Sequence, residues 1–308
     1  MDSAFEYFRN VARLGSIRKA ADALNVSASS ISRQIQKLEH FYGAVLIQRH
    51  SQGVKLTPEG QIVARFLESQ AREMERLNLA IDALKGLQRG HVTICTVEGM
   101  IGGVLPRVLA RFSRQYPGIT YDVRVAGTDN VMRDVAEDRC DIGISFHPKP
   151  HENIEVVAVL EQPLLALVSP AHPLAAQGCL RLQELAGKPV ALPDSSFGIR
   201  HLIDQVVIRD QVDLTVRLES NSIEMLRQFA LHEMGVVFLP AFACEREIES
   251  GELIAVPTTD GVLSSAKVHI CRNDRFRPTQ AAQAFIKELA GIRKPIAVVA
   301  NNATTRTE

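Results

Sequence analysis

Between Ile17 and Tyr42 the apolar residues repeat at helical spacing in two short runs with a polar break between them. Ser16 reads as the N-cap of a first helix over 17–24, in which the small Ala20 and Ala21 let a neighbouring helix approach closely. The chain turns at Asn25-Val26, and Ser27 caps a second helix running to about Tyr42. The inward stripe of that helix is Ile31, Ile35, Leu38 and Tyr42. Its opposite face carries Ser29, Arg33, Gln36 and Lys37. Alone, two such helices describe an ordinary helical hairpin. The next residues change that: between Val45 and Thr57 the segments VLIQR and GVKLT flank His50-Ser51-Gln52-Gly53, a β-hairpin pattern carrying Arg49, His50 and Lys55. A helix-turn-helix followed by a hairpin is a winged helix. Small hydroxyls and an arginine at the start of its second helix suit a DNA major groove, where Arg pairs with guanine edges and Ser bonds bases or phosphates. The candidate DNA-contacting residues are Ser27, Ser29, Ser30, Ser32, Arg33, Gln34 and Lys37, with Arg49, His50 and Lys55 on the hairpin.

A strong helix start follows. Thr57 is an N-cap, Pro58 occupies the first helical position and Glu59 meets the positive end of the helix dipole. No further Pro intervenes before Pro106, and the helix is expected to run to about Gln88, ahead of Gly90. At 1.5 Å per residue, about 30 residues make a rod of about 45 Å. Val63, Leu67, Gln70, Met74, Leu77, Ile81 and Leu84 alternate spacings of four and three, a heptad seam interrupted once by Gln70. Such a stripe either packs on its own chain's core or pairs with a second helix, and a rod between two domains favours dimerisation.

Charge sharpens the division. The chain as a whole is neutral, yet residues 1–57 hold eight Lys/Arg against four Asp/Glu, a net of +4 that leaves −4 for the remainder. A basic head on an acidic body is expected where one domain meets phosphates and the other does not. A length of 308 residues allows two or three domains, and 46% hydrophobic residues allow a sizeable core. No apolar run reaches the length of a membrane span, and the polar start MDSAFEYFRN has no signal-peptide character, so a soluble cytoplasmic protein is expected. The five cysteines (95, 140, 179, 244 and 271) are scattered and never CxxC, which argues against a disulfide framework or structural zinc.

From His91 the periodicity becomes short apolar runs alternating with helical segments. Strands are expected at 92–97, 120–125, 141–146, 154–160, 164–169, 189–192, 214–218, 236–239 and 263–271. Helices are expected at 101–116, 129–137, 197–208, 222–232 and 279–292. The alternation indicates α/β architecture, a parallel sheet covered on both faces that binds ligands at the carboxyl ends of its strands. The tail from Lys294 reads as disordered.

The string FEYFRNVARLGSIRKAADALNVSASSISRQIQKLE, the Gly43 turn, Arg49 and LTPEG at 56–60 resemble the N-terminal domain of LysR-type transcriptional regulators. Two small departures, Ser16-Ile17-Arg18 and Leu46-Ile47, keep an apolar residue in the packing slot. Over the body the resemblance is weaker, carried by GHVTI at 90–94, LPRVLARFSRQYPGI at 105–119, DIGI at 141–144 and GVVFLP at 235–240. It implies an N-terminal winged helix-turn-helix (1–57), a dimerising linker helix (58–89) and a C-terminal two-lobed, periplasmic-binding-protein-like effector domain (90–293). Lobe I would comprise about 90–160 and 263–293, and lobe II about 161–262. It further implies a homodimer or dimer of dimers on double-stranded DNA with two-fold related half-sites, and a small-molecule effector in the cleft, with no cofactor.

Strand ends nominate the effector contacts. Glu98, Gly99 and Met100 lie between the first body strand and its helix, where free N–H groups at 99–101 and the Thr96 hydroxyl would face the cleft. Thr128 and Asn221 precede two further helices, and Ser195, Ser196 and Phe197 a third, with Arg200 one turn on and His147 at another strand end. Each hydroxyl alone reads as a helix cap; their convergence favours a pocket. Helix starts beside an arginine suit a carboxylate, whereas Glu98 would repel one unless it points away or meets an amine, which leaves an amino acid open. Two rival classes compete with this reading. An enzyme would need a nucleophile with a base, or a metal set, and only the pair His147 and His151 suggests one; GxSxG, P-loop and GxGxxG motifs are missing. A redox-sensing regulator would use a cysteine switch, with Cys179 the most exposed candidate and Cys95 and Cys271 in apolar strand runs.

Overall fold

The computed structural model describes residues 2–50, 53–83 and 89–292. They belong to two compact units, 1–81 and 82–308. The first unit opens with α1 (Asp2–Leu14), a helix beyond those expected, in which Ala4, Phe8 and Val11 recur at helical spacing and are buried. Then come α2 (Ile17–Leu24) and α3 (Ala28–Tyr42), capped as expected: Ser16 Oγ accepts from the Lys19 N–H and Ser27 Oγ from the Ser30 N–H. Asn25 ends α2 in the left-handed region, φ 52°, and its N–H returns to the carbonyls of Ala21 and Asp22. Ile31, Ile35 and Leu38 are buried, but Tyr42, expected beside them, is 42% exposed because α3 stops there; its ring lies edge-on to Phe41 instead.

β1 (Ile47–His50) and β2 (Gly53–Leu56) form the hairpin, with Ile47 opposite Leu56. Two contacts fix it to the helices. The Glu39 carboxylate of α3 accepts from the N–H groups of Leu46 (2.9 Å) and Ile47 (3.3 Å), and the Val54 N–H donates to the Gly15 carbonyl at 2.8 Å. α4 (Pro58–Ala83) begins as expected: the Thr57 hydroxyl accepts from the Gly60 N–H at 3.0 Å and donates to the Val45 carbonyl at 2.6 Å. Gly60 is obligatory, since a Cβ there would lie 2.0 Å from the Leu46 carbonyl oxygen.

Along α4 the apolar stripe divides. Leu67 is buried and Val63 partly so, both packed with Ala64 in the core of their own unit, so these two seam positions are already covered within the chain. Ile62, Phe66, Met74, Leu77 and Ile81 are between 51% and 60% exposed. Gln70 is exposed as well, and Leu84 lies outside the described residues. In the first turns of the helix Ala64 and Leu67 share one core cluster with Phe8, Val11, Ile31, Ile35 and Leu38.

The second unit contains β3 (Gly90–Thr96), α5 (Val104–Gln115), β4 (Ile119–Val125), α6 (Thr128–Ala136), β5 (Ile142–Phe146), β6 (Ile154–Glu161) and β7 (Leu164–Val168). The chain continues through β8 (Pro189–Pro193), α7 (Gly198–Asp210), β9 (Thr215–Ser220), α8 (Ile223–Leu231), β10 (Val236–Pro240), α9 (Glu245–Ser250) and β11 (Ile254–Pro257). α10 (Gly261–Ser264), β12 (Lys267–Asn273) and α11 (Gln280–Ala290) complete it. Two five-stranded sheets result, β4-β3-β5-β12-β6 in lobe I and β11-β7-β10-β8-β9 in lobe II. Neither is the all-parallel sheet expected. β12 runs antiparallel to both β5 and β6, and β7 antiparallel to β10 and β11. The reason is connectivity: each sheet receives a strand that crosses over from the other, and such a strand enters from the opposite end.

Those crossings lie at 161–164 and 264–267, and the Gln162 N–H donates to the Ala266 carbonyl at 2.8 Å, tying them together. The expected strand 263–271 is therefore two things. Residues 261–264 are helix, with Leu263 fully buried against α7 and β7 of lobe II, and the strand proper starts at Lys267. The return to lobe I comes a few residues later than the Leu263 boundary drawn from sequence. α9 and β11 also lie beyond the expected elements; β11 is only four residues, IAVP, ending in a proline.

Candidate nucleic-acid interface and interlobe cleft

On α3 the side chains of Ser29, Arg33, Gln36 and Lys37 are exposed, opposite the buried Ile31, Ile35 and Leu38. Ser30, Ser32 and Gln34 flank that face and are half-buried. The Ser27 hydroxyl lies 3.0 Å from Ser29 Oγ and 2.8 Å from Ser30 Oγ, so the cap and the first turn share one hydroxyl cluster. In the hairpin Gln48 faces Lys55 and Arg49 faces Val54 across the strands. Strand alternation thus sets Lys55 with Gln48 and His50 on one face and Arg49 on the face of the buried Ile47. All three basic side chains remain exposed. Glu39, which locks α3 to the hairpin, was missed: nothing in its local sequence marks a carboxylate that pairs with N–H groups seven and eight residues on.

The second unit brings most of the nominated strand ends to one interlobe contact. Thr128, at the start of α6, is buried; its hydroxyl donates to the Phe146 carbonyl of lobe I and accepts from the Gly198 N–H of lobe II, both at 3.1 Å. Gly198 is tight, since a Cβ there would lie 1.8 Å from the Phe146 carbonyl oxygen. The Ser196 carbonyl accepts from the Asp129 N–H at 3.2 Å, while its hydroxyl donates to Asp194 at 2.7 Å. Ser195 offers its carbonyl to His201 Nε2 at 2.8 Å.

Glu98 makes the most extensive contact. Its carboxylate, in lobe I, accepts from the Ser222 hydroxyl (3.1 Å) and the N–H groups of Ile223 (2.8 Å) and Glu224 (3.0 Å) at the N-terminus of α8 in lobe II. The donors expected at 99–101 are not all free: the Met100 N–H bonds to the Val97 carbonyl and the Ile101 N–H to that of Glu98. Thr96 is fully buried, with its hydroxyl 3.4 Å from the Val97 carbonyl. Arg200 is held by Asp204 (2.8 Å), Glu219 (2.7 Å) and the Pro193 carbonyl (3.1 Å), and Asn221 is exposed. The space left between the lobes is about 10 Å³, scarcely one water, lined by Val97, Gly99, Thr128, Phe146, Phe197 and their neighbours. A larger hollow of about 360 Å³ lies beside it, lined in part by Arg107, Arg227, Glu245, Arg246 and Glu247. Arg107 and Glu245 bridge its two sides at 2.6 Å.

His147, in a left-handed conformation with φ 44°, ends β5; burial and then the nearby His201 and Lys267 lower its pKa from the usual 6.5. His269, on β12 opposite Ser145, is lowered by burial and then by His147 and Lys267. Among the cysteines, Cys179 is exposed and Cys95 and Cys271 are buried, as their surroundings in the sequence indicated. Burial pushes the Cys271 and Cys244 thiols up to about 12. Cys95 moves down instead, because Cys140 hydrogen-bonds it, with Arg124 adding a smaller attraction; this pairing of residues 45 apart had no sequence signal.

A winged helix with a polar exposed recognition face, joined by a long helix to a two-lobed α/β domain with a cleft, defines a ligand-responsive DNA-binding regulator. Residues 3–61 match the bacterial regulatory helix-turn-helix protein, lysR family, and residues 85–292 the LysR substrate binding domain. The chain belongs to the LysR family of transcriptional regulators, whose members act on transcription and are not enzymes. A probable RuBisCO transcriptional regulator of Synechocystis sp. is 30% identical over 285 residues, spanning 91% of this chain and 82% of that protein. Full-length CbnR, solved in complex with its target DNA, superposes with a TM-score of 0.69 at 18% identity, covering 94% of this chain and 98% of that one. The effector binding domain of QuiR in complex with shikimate gives 0.58 at 16% identity, over 66% of this chain and 96% of that domain. Among the described residues no helix is long and apolar enough to cross a membrane.

Proposed function

We propose that this regulator reads its operator through the exposed face of α3, with Ser29, Arg33 and Lys37 entering the major groove and Lys55 and His50 of the hairpin holding phosphate. Arg49, on the other face of the hairpin, reaches the backbone from its edge. The observation that carries this reading is the clean division of α3 into a buried apolar stripe and an exposed polar face that begins on a cluster of serine hydroxyls. The chain pairs through the exposed part of α4 and binds two-fold related half-sites. CbnR on its target DNA and QuiR with shikimate are the family precedents for the two halves of the reading. A small molecule enters between the lobes, where Gly99, Thr128 and Phe197 line the remaining space, and its different affinity for open and closed lobes changes how paired chains engage the operator. The carboxylate reading drew on helix starts beside Arg200, which is paired with Asp204 and Glu219, and the amino-acid reading on Glu98, whose carboxylate is taken up by the start of α8.

The test is a pair of substitutions measured across a salt series. Arg33→Ala should cost about 1–3 kcal/mol and relax specificity at one base position, whereas Lys55→Ala should weaken all sequences alike and reduce the salt slope by about one unit. Unchanged operator affinity in Arg33→Ala would remove α3 from the groove.

A further inference from the structure

Three donors converge on the Glu98 carboxylate at the start of α8: the Ser222 hydroxyl and the N–H groups of Ile223 and Glu224, at 2.8 to 3.1 Å. A helix N-terminus with free N–H groups is where an α/β cleft ordinarily holds the acid group of a ligand. Here the position is taken by a side chain of the opposite lobe, 124 to 126 residues away in sequence. The remaining space beside it is walled chiefly by Val97, Phe146, Phe197, Ile199, Ile223 and Phe242, and its one polar side chain, Thr128, already spends its hydroxyl on the Phe146 carbonyl and the Gly198 N–H. Arg200, the arginine nominated for the cleft, is already paired with Asp204 and Glu219.

We propose that Glu98 is the specificity-determining residue of the cleft: it fills the acid seat from within, so the lobes close without a ligand and the effector that fits is uncharged and apolar. This rests on the interlobe reading of the effector site. A free carboxylate competes poorly with Glu98 because Glu98 is covalently attached to the lobe it closes, and its effective concentration exceeds that of a dissolved acid. An uncharged effector avoids that contest: the closed space of about 10 Å³ holds scarcely one water, so it enters by parting the lobes at the apolar wall beside Gly99 and Phe242 without displacing Glu98.

The experiment is chemical rescue in the full-length chain. Glu98→Ala should lower Tm by about 3–8 °C, the loss of several charge-assisted hydrogen bonds in a protein of this size. Acetate or formate should restore most of that fall in the variant and leave the wild type unmoved, whereas acetamide and chloride at matched concentration should do neither. An unchanged Tm in Glu98→Ala, or acetate raising both proteins equally, overturns the proposal. Should Glu98→Ala not accumulate folded, Glu98→Gln carries the test: shape is kept and charge lost, so Tm should still fall, and a Tm equal to wild type overturns it. Methyl NMR of Ile199 and Ile223 separates this idea from the site itself. Benzyl alcohol should shift those signals in the wild type and benzoate only in Glu98→Ala. Benzoate binding the wild type as tightly as the variant would sink the seat proposal and leave the interlobe site standing. Rescue by acetate with neither probe reaching the wild-type methyls would do the reverse.

Discussion

Replacing Leu77 and Ile81 together by glutamate should convert the protein to a monomer. Both side chains leave about half their surface in solvent, 54% and 51% exposed. Full burial of such a side chain is worth about 1.5–3 kcal/mol, so covering the exposed half contributes about 1 kcal/mol each. A two-fold pairing uses both residues from both chains, which brings the sum to about 4 kcal/mol, or about a thousandfold in the dimer Kd. Four carboxylates brought together along the seam add repulsion. Sedimentation equilibrium measures the effect, and operator affinity should fall with it because each monomer then binds a half-site without the gain of bivalency. Leu67→Ala is the control: Leu67 is buried in its own unit, so the change should cost about 2–5 kcal/mol of folding stability while the folded protein still pairs. A double variant that sediments as a dimer would refute the assignment of the seam and move the interface off α4.

Two further outcomes follow from the second unit. Thr128→Val keeps the shape but leaves the Phe146 carbonyl and the Gly198 N–H without their shared hydroxyl, and should cost about 1–3 kcal/mol in urea unfolding of the full chain; no shift in midpoint would show that the lobes do not rely on this bridge. The second concerns pH. His147 and His269 titrate below 6.5 when folded, and the groups around them are Lys267 and His201, with Asp129 3.5 Å from His201 and Glu161 3.9 Å from Lys267. Their folded pKa values are depressed, so the unfolded chain takes up protons first; stability should be full above pH 6.5 and fall as the pH drops below it, by at most about 1.4 kcal/mol per pH unit per histidine. A His147→Gln, His269→Gln variant should flatten that slope, and an unaltered slope would place the acid sensitivity elsewhere.

What was legible in the sequence was local. Thr57-Pro58-Glu59 starts α4 at the expected residue, and Ser16 and Ser27 cap α2 and α3, because a cap is decided within three or four residues. The inward stripe Ile31, Ile35, Leu38 was legible for the same reason. On α4 the same periodicity misled, since an apolar stripe does not say what covers it: Val63 and Leu67 face their own core, whereas Leu77 and Ile81 face solvent. The cleft was half legible. Strand ends identified Thr128, Gly99 and Phe197 as neighbours, but Glu98 finds its partners more than a hundred residues away, and Arg200 is paired by Glu219 of an adjacent strand as well as by Asp204 on its own helix; those pairings decide which charges remain free. Short elements such as β11, and the direction of β12, depend on tertiary pairing that no local pattern encodes.

The place of β12 has a consequence for how the chain is made. β6, at 154–161, lies at the rim of its sheet and its hydrogen-bonded neighbour there is β12, which ends at Asn273. During synthesis from the N-terminus the first lobe therefore emerges with a gap in the middle of its sheet, between β5 and β6. It waits for more than a hundred further residues before the gap can be filled. Lobe II, whose strands are contiguous in the chain from Leu164 to Pro257, meets no such delay. The later lobe in sequence is thus the earlier to complete, and long-range closure by β12 sets the pace for the whole body. Truncation between β6 and Lys267 should leave β5 with an open edge and β6 with no strand partner, an aggregation hazard on the ribosome that the full-length protein closes with β12.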